Sequence, residues 1–78
     1  MKAQVKITLK TGVLDPQGEA VRKSLKSLGF DELQGVRIGK YIEVDVDETD
    51  AAKAKASVEK MCSSLLANTV IENYEVEI

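Results

Sequence analysis

Ala3, Val5, Ile7 and Leu9 alternate with Lys2, Gln4, Lys6, Thr8 and Lys10, the period-two pattern of a strand buried on one face. The pattern changes across Lys10 to Gly18, KTGVLDPQG. Asp15 is a residue type that caps a helix start, and Pro16 fits a first turn, where a missing N–H costs nothing. From Pro16 the apolar positions Ala20, Val21, Leu25 and Leu28 follow a helical stripe, with Gly29 as its C-terminal stop. In the next segment Val36, Ile38, Ile42, Val44 and Val46 share one parity. Arg37, Gly39, Tyr41, Glu43, Asp45 and Asp47 share the other, and only Lys40 interrupts the apolar set. Read as one strand this segment is about 11 residues long, against a usual 5 or 6, so it is either a long bent strand or a hairpin turning near Gly39-Lys40. A two-residue loop there would place Ile38 opposite Tyr41 and Val36 opposite Glu43 and split the apolar face. A three-residue loop, or no turn, keeps that face intact.

A second helix begins in the acidic run Asp47-Glu48-Thr49-Asp50, where caps and negative charge suit the positive end of the helix dipole. Ala54, Val58, Met61, Cys62 and Leu65 form its buried stripe, Lys53, Lys55, Glu59 and Lys60 stay in water, and Asn68 is its stop. The last strand, around Val70 to Ile78, buries Tyr74, Val76 and Ile78 and exposes Asn73, Glu75 and Glu77, with a register irregularity near Glu72. The order is β-α-β(β)-α-β, that of an α+β two-layer sandwich related to the ferredoxin-like fold, with two helices on one face of an antiparallel sheet. Residues 1–78 make a single domain.

At 78 residues, folding removes only about 60 to 65% of the chain's surface from water, so a lone core is marginal. The usual supplements are absent: there is one cysteine and no histidine, and no cluster of ligands at metal spacing. Oligomerisation is the expected remedy, as a dimer in which the long strand can pass from one subunit's sheet to the other's. Cys62, on an apolar stripe, reads as a buried reduced thiol. No charged stretch followed by an apolar one opens the sequence, and no apolar run approaches the roughly 20 residues of a membrane span, so the chain reads as cytoplasmic.

Net charge is −2, which gives no support for nucleic-acid binding. Residues 1–40 hold eight Lys or Arg against four Asp or Glu, a balance of +4, and residues 41–78 hold three against nine, a balance of −6. Either the halves neutralise each other across strands, with Lys2, Lys6 and Lys10 facing Glu43, Asp45, Glu75 and Glu77, or they present opposite signs to different partners.

Groups for catalysis near neutral pH are missing. There is no nucleophile beside a base, Asp15 and Glu19 read as helix-start residues, and Glu43, Asp45 and Asp47 read as a solvated face. Gly12, Gly18, Gly35 and Gly39 match neither a P-loop nor a dinucleotide fingerprint and read as turn and bend positions. Lys40 reads as a packed stem with its ammonium turned out, or as a positive group presented with Tyr41 at a subunit contact.

Three stretches, KTGVLDPQG (10–18), VRIGKYIEVDVD (36–47) and LLANTVIENYEV (65–76), resemble the PurS family in register over nearly the whole chain. These are small accessory subunits of phosphoribosylformylglycinamidine synthase, which uses ATP and glutamine in purine biosynthesis. The resemblance implies a subunit with no catalytic residues and no cofactor of its own. It would dimerise and join the glutaminase subunit PurQ to the synthetase subunit PurL, which uses ATP and Mg. It would thereby support ammonia transfer in the conversion of formylglycinamide ribonucleotide to the amidine. Similarity carries over at Leu14 and at the candidate interface positions Gly12, Val13, Asp15, Pro16, Gln17, Gly18, Gly39, Lys40 and Tyr41. One departure is Asn68-Thr69, where the family commonly has Asn-Pro; it restores an N–H at a turn and leaves the fold unchanged. The competing classes are a stand-alone dimeric module that senses a small metabolite, and a metal-independent small enzyme.

Overall fold

Strand β1 (Lys2–Leu9) is the middle of a three-stranded antiparallel sheet in the computed structural model, which describes Met1–Ile78. Strand β2 (Lys40–Asp45) pairs with one edge of β1, placing Val5 opposite Ile42 and Ile7 opposite Lys40, and β3 (Glu72–Glu77) pairs with the other, placing Val5 opposite Val76. Ala3, Val5 and Ile7 are fully buried, as a half-buried central strand demands. Helix α2 (Ala51–Met61) lies over β1 and β3 and supplies Ala54 and Val58, both fully buried. Cys62, Ala67 and Val76 complete the core, with Ile42, Val44, Val46 and Leu66 packed around it.

Both helices start where a side chain can take up orphan N–H groups. Asp50 Oδ1 accepts from the N–H groups of Ala52 and Lys53 at 2.9 and 3.3 Å and caps α2. Helix α1 (Pro16–Ser27) is capped by Asp15 and carries proline at its first position. It ends in a Schellman motif: Gly29, at φ +101°, donates to Lys26 O at 3.0 Å, and Phe30 donates to Leu25 O at 3.3 Å.

Four sequence expectations change. The Val36–Asp47 segment is neither one long strand nor a hairpin, because β2 begins only at Lys40. The register would set Gly39 against Thr8 and Ile38 against Leu9, but the Ile38 N–H goes to Asp15 instead, and residues before Ile38 run past the end of β1 at Leu9. The helical stripe does not reach Leu65, which is 84% exposed, and Met61 is half-exposed. A π-helical turn over Cys62–Leu66, closed by Ala67 N–H donating to Cys62 O at 2.9 Å, adds a residue to the turn. Leu66 and Ala67 point inward in place of Leu65. In β3 only Val76 is fully inside, with Tyr74 and Ile78 partly exposed at the sheet's margin.

The fourth change concerns α1. Only α2 covers the chain's own sheet; α1 makes almost no contact with it. Val21 and Leu28 therefore remain exposed, Leu28 at 74%, and Leu25 between them is only half-buried. The chain is accordingly long and thin, 48 × 23 × 14 Å, with a radius of gyration of 15.9 Å against about 11.5 Å for a compact domain of this length. On the outer sheet face the two charge halves meet, through Lys2–Glu43 at 3.4 Å and Lys6–Glu77 at 4.0 Å. These pairs are half-exposed and contribute at most about 1 kcal/mol each.

Candidate functional site

The stretch from Lys10 to Gly18 folds back on the residues that lead into β2, and the two are fastened by two side chains. In the first fastening, Asp15 Oδ1 accepts from the Gly18 N–H at 2.9 Å, capping α1, while Oδ2 accepts from the Ile38 N–H at 2.7 Å. One carboxylate thus ties a helix start to a segment 23 residues further on. In the second, Lys10 to Val13 form a turn with Gly12 at φ +89° and the Val13 N–H donating to Lys10 O at 3.1 Å. The Arg37 guanidinium spans that turn, donating to Val13 O at 2.7 Å and Lys10 O at 3.1 Å. Gly18 is buried between the two stretches, where a Cβ would lie 2.5 Å from both Asp15 Oδ2 and Val36 O.

An open cleft of about 600 Å³ lies beside this fastening, lined by Gly12 to Pro16, Glu19, Arg22 and Gln34 to Arg37. Its charged groups already have partners. Arg22 Nε donates to Glu19 Oε2 at 2.9 Å, and a second contact joins Arg22 Nη2 to Glu19 Oε1. This hydrogen bonding holds Glu19 below the usual carboxylate range and raises Arg22. The Ile38 N–H, then the Gly18 N–H, hold the Asp15 carboxyl below its ordinary range, and the nearby Arg37 charge acts in the same direction. Away from the cleft, burial and then the Glu59 carboxylate push the Cys62 thiol up, which disfavours its reactive thiolate. No group of three or more His, Cys, Asp or Glu side chains is placed to hold a metal ion. The arrangement fixes the relative position of α1 and the β2 entry; it poises no acid, base or nucleophile.

Asp15 therefore stabilises the fold in proportion to its ionisation. Its folded pKa lies below its unfolded one, so the contribution is complete above the ordinary carboxylate pKa. It is lost as pH falls through the folded value. Asp15→Asn keeps one acceptor but turns an amide N–H₂ toward one of the two donors. The variant is expected to melt about 5–10 °C lower at pH 7, and the gap to the parent should shrink when both are melted near pH 3. A gap of equal size at both pH values would contradict this role.

The candidate positions separate into two places. Gly12, Val13, Asp15 and Pro16 line the cleft together with Leu14, Gly18 lies beneath it, and Gln17 sits in the first turn of α1 outside the lining. Gly39, Lys40 and Tyr41 lie at the start of β2, where a Cβ on Gly39 would come within 2.6 Å of Ile7 O. Lys40 and Tyr41 point to opposite faces. Lys40 shares the inward parity with Ile42 and lies 3.9 Å from Glu72 Oε2, whereas Tyr41, 54% exposed, is across from Lys6 on the outer face. The two do not form one patch. Sequence reasoning missed Arg37 and Arg22; the only signal for Arg37 is a positive charge, with Lys40, ahead of an otherwise acidic strand.

Comparison with known proteins gives one consistent result. The family profile "PurS: Phosphoribosylformylglycinamidine (FGAM) synthase" matches residues 2–78. The chain is 51% identical over 75 residues to the PurS subunit of phosphoribosylformylglycinamidine synthase of Synechocystis sp., covering 96% of this chain and 75% of that one. It is 48% identical over 77 residues to the Bacillus subtilis PurS subunit, covering 99% and 90%. Among solved structures, Methanocaldococcus jannaschii PurS superposes with a TM-score of 0.87 at 43% identity over 97% of this chain and 92% of that one. A chain in the structure of PurLQS from Thermotoga maritima gives 0.88 at 33% identity over 97% and 93%.

Proposed function

This chain belongs to the PurS family of phosphoribosylformylglycinamidine synthase subunits, and from that membership we propose that it is a non-catalytic homodimer that couples a PurQ glutaminase to a PurL synthetase. ATP and Mg are used by PurL, and ammonia released from glutamine at PurQ reaches the synthetase only when the assembly is held together. The observation that carries this reading is the contrast between the two ends of α1. At its start, Asp15, Glu19, Arg22 and Arg37 are all engaged within the chain. Further along, Val21 and Leu28 are apolar and exposed, with Leu25 half-buried between them. Such a surface is suited to being covered by protein. A metabolite-sensing module would draw on the charged groups of the cleft, and Asp15, Glu19, Arg22 and Arg37 are all held within the chain.

The test is reconstitution of PurL and PurQ with and without this chain. Omission is expected to abolish amidotransfer from glutamine while sparing more of the rate with free ammonia, which bypasses coupling of two active sites. The isolated chain should neither hydrolyse ATP nor release ammonia from glutamine. Full glutamine-dependent activity without the chain, or turnover by the chain alone, would overturn the proposal.

A further inference from the structure

We infer that the open edge of β3 receives an extended segment of another subunit of the assembly, a strand whose side chains alternate between apolar and basic. The inference rests on the coupling reading above and names a surface through which that coupling is made. Antiparallel pairing turns the backbone groups of alternate residues toward and away from the neighbouring strand. The Lys10 N–H donates to Ile71 O at 2.8 Å, which assigns Asn73, Glu75 and Glu77 to the ladder with β1 and turns the N–H and C=O groups of Tyr74 and Val76 outward. The Glu72 N–H, which also points outward, is taken up by Asn68 O at 2.7 Å. No loop or side chain takes up those of Tyr74 and Val76.

The two sides of this edge differ in what they accept. On the inner side, an open hollow of about 490 Å³ lies between β3 and the start of α2, lined by Ala51, Ala52, Lys55, Val76, Glu77 and Ile78. The two alanines leave room there for the side chains of a further strand, and the partly exposed Tyr74 and Ile78 offer it apolar surface. Lys55 borders the same hollow, so a cation entering it would be repelled. On the outer side the sign is reversed. Glu77 has Lys6 at 4.0 Å, while Glu75, across from Lys6 and exposed, has no ion pair of its own. A strand added here therefore places apolar side chains inward and basic ones outward, with backbone bonds giving affinity and the alternation giving specificity. β1 already meets the other edge of β3 in this way, with Val5 and Ile7 buried and Lys6 outward. A second copy of β3 does not fit, because two-fold pairing would set Glu75 and Glu77 of one copy against those of the other.

The test assembles the full chain with PurL and PurQ and follows amide exchange residue by residue in the isolated chain and in the complex. In the isolated chain Tyr74 and Val76 are expected to exchange faster than Glu75, whose N–H belongs to the ladder with β1, and on assembly to slow at least about a hundredfold. Glu75→Lys, at an exposed position outside the core, should raise the dissociation constant of the chain for its partners about tenfold at low salt and leave its melting temperature nearly unchanged. Equally fast exchange of Tyr74 and Val76 in the complex would overturn the edge assignment and leave the coupling role standing. Protection already present in the isolated chain would give the edge to a second copy and overturn it as well. Protection on assembly with unaltered binding of Glu75→Lys would overturn the basic chemistry of the added strand. Failure of the chain to associate with PurL and PurQ would overturn both this inference and the reading it rests on.

Discussion

Gly18→Ala is expected to lower the melting temperature by about 5–15 °C, although alanine is the better helix former by about 1 kcal/mol. The new Cβ would sit 2.5 Å from Asp15 Oδ2 and from Val36 O. One obstacle is backbone and the other is a carboxylate held by two N–H groups, so neither can yield without loosening the fastening. Overpacking of this kind typically costs about 1–3 kcal/mol, more than the propensity gain returns. Gly35→Ala is the control, because a Cβ there meets nothing within 4 Å. Thermal unfolding of the two variants side by side decides the matter. If Gly18→Ala melts no lower than Gly35→Ala, then α1 is not held against the β2 entry as described.

The double variant Val21→Glu, Leu25→Glu is expected to raise the dimer dissociation constant by at least about a hundredfold while leaving the isolated chain folded. Neither side chain belongs to the core formed by α2 and the sheet. Their replacement therefore removes little that the single chain relies on. In an interface, each unpaired carboxylate would have to be stripped of water, and about 2.7 kcal/mol of that penalty already accounts for the hundredfold change. Sedimentation over a concentration series, with circular dichroism as the check on folding, measures both halves of the statement. An unaltered dimer would move the contact surface off α1.

Much of this was legible in the sequence where the determinants are local. The alternation of Ala3 to Leu9, the Asp15-Pro16 helix start and the Gly29 stop each depend on neighbours a few residues away, and each stands in the structure. What was not legible depends on partners. Alternation in Val36 to Asp47 assigns faces, but a strand also needs a paired neighbour, and the ladder with β1 stops at Lys40. Helical periodicity in α1 says that Val21, Leu25 and Leu28 need cover without saying from which chain. The inward turn of Leu66 instead of Leu65 follows from a single widened turn that composition does not mark. At the candidate site, the choice of Gly12 to Gly18 found one wall of the cleft. The opposite wall, Gln34 to Arg37, comes from a distant stretch of the chain, and nothing near Asp15 in the sequence points to it.

The central place of β1 also dictates when this chain can fold. The first strand to leave the ribosome finds one neighbour only after residue 45 and the other only after residue 77. Closing those loops must precede any gain from the ladders, so folding is slower than that of a helical bundle of the same length. The capped helices can form early; the sheet cannot. During synthesis both edges of an apolar, alternating strand stay open to strands of other nascent chains, and crowded translation at high expression is where this protein is most exposed to aggregation.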